Sequence, residues 1–582
     1  MLLNELHILA LDCQATAANP DKGQLLEIGW VSGCAASSPE NTNAQSYLIR
    51  LPRDVKIPSA VSRITGISEE DLKHSVSESD AWRDLITTAE DLASENRLDV
   101  CPTVIHYARF ELPFLRRLHE IEAMGSPFPL QVICTHEIAR RLLPELPRRG
   151  IRALAGYFGC AVPELKRSAD HALATLSIWE SLVALLEARC RVISLPGLRQ
   201  WLTDTPSPRS VKRTFPMQTA VRRNLPHYPG IYRMRRANHD ILYIGKAKSL
   251  RQRVISYFRG GAAHPEHILE MLTQARDLDY KTTASALEAA VVESDEIKRH
   301  CPPYNVALRP VGRRLIYCTK DLLYSSNRCA DEFCVGPLPG GRSIDALSAF
   351  GFWLAQHMSL DGHTAEVIGN AFTGYFTVTR PDKVCLQKGL DLFRSTHQDH
   401  LKYPSALRVV TSLGAHIWRS QAMQSACEAS ETKERATTQL NETATRETEW
   451  TPVDIASAME GMLVHTAHML RRARWFRLLL NSNLAWAAAE DPKTLAHLLV
   501  FEKGRVVDIA SLSPGDNMPT PRCRIRSRSK NRREMDLATY DRMRVVTTEL
   551  RRLVCEGRTI ELRLTPKVCL TNCELKKCLR WV

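Results

Sequence analysis

Two short apolar strings, Gly230-Ile231-Tyr232 and Tyr243-Ile244-Gly245-Lys246, constrain this chain more than any other feature. Each sits in a run rich in β-branched and aromatic residues, IYRM and DILYIG, and such runs read as two neighbouring strands. A helix is expected to open near Ser249, and two more helical segments follow before Arg309. Pro229 to Arg309 is therefore a small α/β unit. With 582 residues in all, and about 150 residues per domain, it is one of three or four.

The remaining chain divides by composition. Residues 6–13 and 24–33 read as buried strands and 171–189 as a long apolar-periodic helix, so residues 1–190 form an α/β domain. Residues 191–224 contain DTPSPRSVKRTFP with Arg209, Lys212, Arg213, Arg222 and Arg223, which suggests a basic linker. The central unit takes 225–310, and an extension runs over 311–420, where Ser343 and Asp345 are candidate caps of an apolar-periodic helix. Residues 421–452 carry few large apolar groups and read as a polar linker. Residues 453–582, with a long helix, a hairpin around LLVFEKGRVVDIA and a late strand TIELRL, form a C-terminal α+β region. The fold class is α/β multidomain.

Lys and Arg number 78 against 64 Asp and Glu, and this excess of +14 favours a polyanionic partner. The 44% apolar and 24% charged composition excludes a disordered or fibrous chain. No apolar run reaches 18 residues, and the start MLLNELHILALD lacks a secretory pattern, so no membrane and a cytoplasmic location are the expectation. The 17 cysteines read as free thiols. Cys569, Cys573 and Cys578 lack the tight pairs of zinc modules, as do Cys318, Cys329 and Cys334.

The two apolar strings resemble the signature of the GIY-YIG nucleases. The resemblance continues through Ala247-Lys248-Ser249-Leu250-Arg251-Gln252-Arg253-Val254, Ser256-Tyr257-Phe258, Leu287 to Glu293, Ile297-Lys298 and Pro302-Pro303-Tyr304-Asn305-Val306, in the order of the UvrC and Cho excinucleases. It implies a central GIY-YIG domain and a metal-dependent DNA endonuclease. Cutting a phosphodiester needs an activated water, a cation for the developing charge and help for the leaving oxygen. Glu293 is the candidate ligand for one Mg²⁺ or Mn²⁺. Arg253 offers a planar fork to the scissile phosphate, with Arg251 in reserve and Lys248 beside it for the nucleic acid. A base role for Tyr232 or Tyr243 requires its anion to be favoured, and Lys246 with the metal would do that; the residues leave open which tyrosine acts. By resemblance, Asn305 braces the site and Tyr257 lines its wall.

Residues 1–180 resemble the DnaQ-like exonucleases through Leu11-Asp12, Glu27-Ile28-Gly29, Ile64-Thr65-Gly66, His106 to Phe110 and Ala172 to Thr175, which implies an RNase H-like exonuclease fold. That family holds two divalent ions with four carboxylates and activates water with a histidine. The matching positions here are Asp12, Gln14, Glu111 and His171, with Lys166 in place of the histidine; a one-residue shift would substitute Asp170 for His171. Losing two carboxylates next to a lysine weakens ion binding, since unit charges 4 Å apart interact by about 4 kcal/mol at an effective dielectric of 20. The expectation is a degenerate, inactive exonuclease site.

Residues 521–533 (PRCRIRSRSKNRR) are a candidate phosphate-binding segment, with Arg522, Arg524, Arg526, Arg528 and Lys530. The resulting expectation is an endonuclease making single-strand incisions in nucleotide excision repair of damaged duplex DNA, presented by a UvrB-type loading protein. The chain departs from full UvrC in showing no partner-binding coiled coil, no second RNase H-like nuclease and no helix-hairpin-helix tail. A single-incision enzyme of the Cho kind follows from that. The alternatives are a proofreading-type 3′–5′ exonuclease and a non-catalytic DNA-binding scaffold.

Overall fold

The computed structural model describes residues 1–36, 44–123, 125–160, 165–208, 211–259, 264–310, 312–340, 342–355, 368, 382–402, 405–431, 450–487, 496–513, 516 and 534–580. Its contacts divide the chain into two units, one of Met1–Thr283 with Pro302–Val306 and one of Ala284–Cys301 with Ala307–Val582.

The first unit opens with five strands, β1 (Ile8–Ala15), β2 (Leu25–Gly33), β3 (Gln45–Leu48), β4 (Cys101–Ile105) and β5 (Leu130–Cys134). They form one sheet in the order β3-β2-β1-β4-β5, antiparallel on the β2 side of β1 and parallel on the β4 side. Strand β1 is central, and its apolar run Ile8–Leu11 follows from burial on both faces. Strand alternation sends Ile8 and Ala10 into one core and Leu9, Leu11 and Cys13 into the other. The helix Ser168–Cys190 covers the first face with Leu176, Trp179 and Val183; the helix Glu78–Glu95 covers the second with Trp82, Leu85 and Ala89. Each such fully buried large side chain contributes about 1.5–3 kcal/mol.

The segment read as a basic linker is largely structured. Leu195 and Leu198, in the helix Leu195–Asp204, are buried in the N-terminal core, and Met217 and Leu225 belong to the next core. That core underlies β6 (Gly230–Arg235), β7 (Ile241–Ala247) and β8 (Asp277–Thr282), an antiparallel sheet in the order β7-β6-β8. The helix Leu250–Tyr257 begins at the expected cap, with Ser249 accepting from the Gln252 amide. Within this unit the two sheet domains are packed together. The helix Ile151–Phe158 lies so close to Gln274 that a Cβ on Gly156 would overlap its side chain, and the Arg276 guanidinium stacks 4.2 Å from the Tyr157 ring centre.

The second unit contains a small sheet β10-β9-β11, from β9 (Leu315–Cys318), β10 (Ser325–Ser326) and β11 (Val335–Pro339). A larger antiparallel sheet has the order β14-β13-β12-β15-β16, from β12 (Asn483–Ala487), β13 (Ala496–Glu502), β14 (Arg505–Leu512), β15 (Ile560–Thr565) and β16 (Val568–Thr571). Here β13 and β14 are the expected hairpin, turned at Lys503 and Gly504 with positive φ. The helix Pro452–Leu479 opens on a Thr451/Asp454 capping box and runs through both parts of the unit. Its Ile455 to Ala473 join the core of residues 318–417, while Trp475, Phe476 and Leu479 join the core over the large sheet. The expected division between 311–420 and 453–582 is therefore bridged by one helix. The helix Arg342–Ala355 starts before Ser343, so neither Ser343 nor Asp345 precedes it as a cap. Residues 432–449 of the expected polar linker and the basic segment at 521–533 lie outside the described residues. No helix among the described residues is long and apolar enough to cross a membrane.

Candidate active sites

At the N-terminal site, Asp12 lies on β1 and Glu111 in the first turn of the helix Ala108–Glu122; both carboxyls are buried. Gly29 on β2 pairs with Asp12, and the start of the helix Ser168–Cys190 passes so close that a Cβ on Gly29 would sit 2.8 Å from the Ala169 nitrogen. Glycine here lets that helix bring His171 Nδ1 to 3.0 Å from Asp12 Oδ1. Gln14 turns its amide to the Lys166 carbonyl, at 3.0 Å. The structure thus brings Asp12 and His171 into direct contact and ties Gln14 to the Lys166 backbone.

Burial raises both carboxyl pKa values; at Glu111 the charge of Asp12 is the next cause, whereas at Asp12 the contact with His171 works against the rise. Burial works against the His171 cation, but its hydrogen bond and charge attraction to Asp12 outweigh that and raise its pKa. Asp12 Oδ2 and Glu111 Oε2 remain buried without a hydrogen-bond partner, and as hard oxygen donors they suit a cation. The family's donor set is nonetheless incomplete: among the described residues no three His, Cys, Asp or Glu side chains converge on a metal position. A pair that composition and spacing did not single out borders this site. Glu27, fully buried on β2 opposite Gln14, accepts from Arg167 Nε and Nη2 at 2.9 and 2.6 Å and from the Ser168 amide at 2.8 Å. The signal available was a carboxylate in an otherwise apolar strand, LLEIGWV.

In the central domain, the register pairs Tyr232 with Gly245 and with Tyr280. A Cβ on Gly245 would fall 2.5 Å from Tyr232 Cζ, so the glycine is where the tyrosine ring crosses the strand. Gly230 likewise has the Thr282 backbone against it, 3.1 Å from an added Cβ. Tyr232, Tyr243 and Gly245 share one face of the sheet, and Lys246 alternates to the other with Ile231. Tyr232 is fully buried, and its hydroxyl lies 3.0 Å from that of Tyr257, which accepts from Arg253 Nη2–H at 3.1 Å. The Arg253 guanidinium also lies over the Tyr257 ring, 4.9 Å from its centre, while the residue as a whole is exposed. Asn305 clasps the backbone of Ile244 from both sides, accepting from its N–H at 2.9 Å and donating to its carbonyl at 2.8 Å. This fixes the strand between Tyr243 and Gly245.

Burial pushes the Tyr232 hydroxyl well above its ordinary pKa; Tyr257 and Tyr243 push it further, and Arg253 is the cation that opposes them. Arg253 is thus a cation acting on Tyr232, a role that spacing did not point to. Lys248 is exposed and Arg251 half-buried on the adjoining turn and helix. Glu293 stands half-buried on the helix Ala286–His300, which is capped by Ser285 and belongs by its contacts to the second unit. There Lys298 reaches the buried Asp541 at 3.1 Å, and Asp295 pairs with Arg542 at 2.8 Å. As a single hard carboxylate, Glu293 fits a magnesium-type ion that keeps most of its waters.

The family model described as a UvrC-like GIY-YIG domain matches residues 228–306. The chain carries a GIY-YIG domain. The exonuclease family model matches residues 9–176, so the N-terminal domain is of the exonuclease fold family. A Mycobacterium tuberculosis protein named as a bifunctional exonuclease/endonuclease is 34% identical over 204 residues, 35% of this chain and 30% of that one. The UvrABC system protein C of Sphingopyxis alaskensis is 48% identical over 90 residues, 16% of this chain and 14% of the relative. The matches thus span less than a third of these relatives. The magnesium-bound GIY-YIG endonuclease domain of UvrC from Thermotoga maritima is 29% identical, covering 16% of this chain and all of that domain with a TM-score of 0.14.

Proposed function

We propose that the chain is a metal-dependent DNA endonuclease whose GIY-YIG domain makes single-strand incisions, in the setting of nucleotide excision repair. The observation that carries this reading is the exposed Arg253 guanidinium, held by its own Tyr257 hydroxyl above a strand that Asn305 clasps. The fork is engaged on the Tyr257 hydroxyl but belongs to an exposed residue, and a planar fork of this kind meets a scissile phosphate bidentately. Glu293 is the residue that would hold a divalent cation, Mg²⁺ or Mn²⁺, and a bound ion there supplies charge stabilisation and a source of ionised water. We assign water activation to Tyr243, the half-buried member of the tyrosine pair. Lys248 and Arg251 extend the positive surface toward the flanking phosphates. The substrate we assign is damaged duplex DNA, with a UvrB-type loading protein as partner and a cytoplasmic site of action.

The test is nicking of supercoiled plasmid, plain and ultraviolet-damaged, with Mg²⁺ or Mn²⁺ and with or without a UvrB-type protein. Wild type should nick, Glu293→Ala should not, and Asp12→Ala should match wild type. Tyr243→Phe should lose more activity than Tyr232→Phe. A second reading, 3′–5′ exonuclease activity, is favoured by the unpaired oxygens of Asp12 and Glu111. It predicts shortening from 3′ ends that Asp12→Ala removes. Salt-sensitive binding without any cleavage would leave a DNA-binding scaffold.

A further inference from the structure

The second unit contains a concavity of about 920 Å³ between the helices Ala406–Glu431 and Pro452–Leu479, closed at one end by the start of β11. Its charged lining is one-sided. Lys320, Arg408, Arg419, Arg471, Arg474 and Arg477 face it, against a single carboxylate, Asp331.

Most of the cations lie on the two facing helices. Arg408, Ser412, Ala415 and Arg419 follow at intervals of four, three and four residues, so they form one stripe on their helix. At 1.5 Å per residue the two arginines are about 16 Å apart along the helix axis. Arg471, Arg474 and Arg477 recur at three-residue intervals on the facing helix. Arg477 is committed to structure, since its guanidinium donates to the carbonyls of Cys334 and Gly336 and so holds the floor of the groove. Arg408, Arg419, Arg474 and Lys320 are exposed. The Arg471 guanidinium is pulled below its ordinary pKa by burial and by the charges of Arg419 and Arg474. These arginines therefore repel one another, and an anion between them would relieve that repulsion. Leu407, Val335 and Leu470 supply apolar surface between the charges.

We infer that this groove binds the phosphodiester backbone of a single nucleic-acid strand. Cations on two facing helices, with Arg408 and Arg419 about 16 Å apart along one of them, can meet several phosphates of one strand together, whereas a lone phosphate would engage one end of the groove. A concavity of this volume is of the size that encloses a drug-sized ligand, which is the scale of a short stretch of one strand. A positively charged groove that tracks the backbone is the electrostatic component of single-strand binding. That the strand is DNA rests on the nuclease reading; that the ligand is a phosphodiester strand does not.

The experiment measures anisotropy of a labelled twelve-nucleotide oligothymidylate with the full chain in EDTA, from 50 to 200 mM salt. The Arg471→Ala/Arg474→Ala variant should bind about tenfold more weakly at 100 mM salt. Its log–log salt slope should be shallower by about 1.4, from about 0.7 per lost phosphate contact on single strands. Arg471→Lys/Arg474→Lys should keep the slope. Since Arg471 is half-buried, thermal melting is followed in parallel, and the exposed pair Arg408→Ala/Arg419→Ala repeats the test where folding is not at risk. Tripolyphosphate serves as the small-anion probe. Unchanged affinity and slope in a folded double variant overturn the proposal. Tripolyphosphate binding that the substitutions remove, with strand binding intact, overturns it too and marks a small-anion site. If wild type fails to nick plasmid yet the arginine variants lose strand binding, the nuclease reading falls and the groove stands; nicking without any effect of the arginines gives the reverse.

Discussion

The two nuclease-like sites of the first unit differ in what their cations do. At the N-terminal site the positive groups are turned inward: His171 is joined to Asp12 and Arg167 to Glu27. At the GIY-YIG site Arg253 donates to Tyr257 and interacts with Tyr232, while the residue as a whole stays exposed. Both sites hold buried oxygen groups whose ionisation burial opposes, Glu111 in one and Tyr232 in the other. Burial of acids is thus common to the two sites and does not separate them. What differs is the exposure of the cation, and on the proposed reading Arg253 is the one that meets a phosphate from outside the protein.

The sharpest way to break this comparison is Arg253→Ala. Removing a group that meets charge developing in the transition state costs about 10²–10³ in kcat, with KM changed less, read from nicking rates against plasmid concentration. Arg253→Lys restores charge without the fork and should recover part of the loss. Equal rates for all three would show that the exposed guanidinium has no part in the chemistry. Next in size is Arg167→Ala, which leaves Glu27 buried with the Ser168 amide as its remaining partner. Breaking a buried pair costs about 3–5 kcal/mol, and the partial exposure of Arg167 places this case at the lower end. Chemical denaturation should show that loss while nicking per folded molecule stays unchanged.

A smaller effect sharpens the electrostatic half of the comparison. Glu111 has a folded-state pKa raised well above the ordinary 4.5 by burial and by Asp12. A group raised on folding adds stability below its unfolded pKa, and that contribution is lost as pH climbs through the folded value. Glu111→Gln, permanently neutral, should therefore melt higher than wild type at pH 8. The gap should close, or reverse, as pH falls toward 4.5. A gap that is constant with pH would mean that Glu111 is not held against its charge.

Much of this was legible in the sequence, for physical reasons that differ by region. The tyrosines and Arg253 could be picked out because they sit on one hairpin and the helix after it, where local spacing carries the pattern; Asn305, 61 residues from the Ile244 it holds, was legible only through the family resemblance. The strands LHILALDC and QLLEIGWVSG announced themselves by burial on both faces. Three features depended on distant packing and left little local trace. The segment at 191–224 is polar on average, yet Leu195, Leu198 and Met217 anchor it in two cores. The Glu27 and Arg167 pair joins residues 140 positions apart. The arginines at 408, 419, 471 and 474 are unremarkable along the chain and become one groove through the pairing of two helices.

The smallest predicted effect is none at all, and it probes the degenerate site most directly. Gln14→Glu alone should create no exonuclease activity, measured as shortening of a 3′-recessed duplex in Mn²⁺. The Gln14 amide donates to the Lys166 carbonyl, so a glutamate there would face that oxygen with its own charge. Asp12 would still be engaged by His171, and no histidine would stand at Lys166 to activate water. A third carboxylate raises the ligand charge but does not release Asp12 from its partner. Shortening in this single variant would mean that the His171 contact yields to a metal ion, and that the inward-turned cations do not set the difference between the two sites.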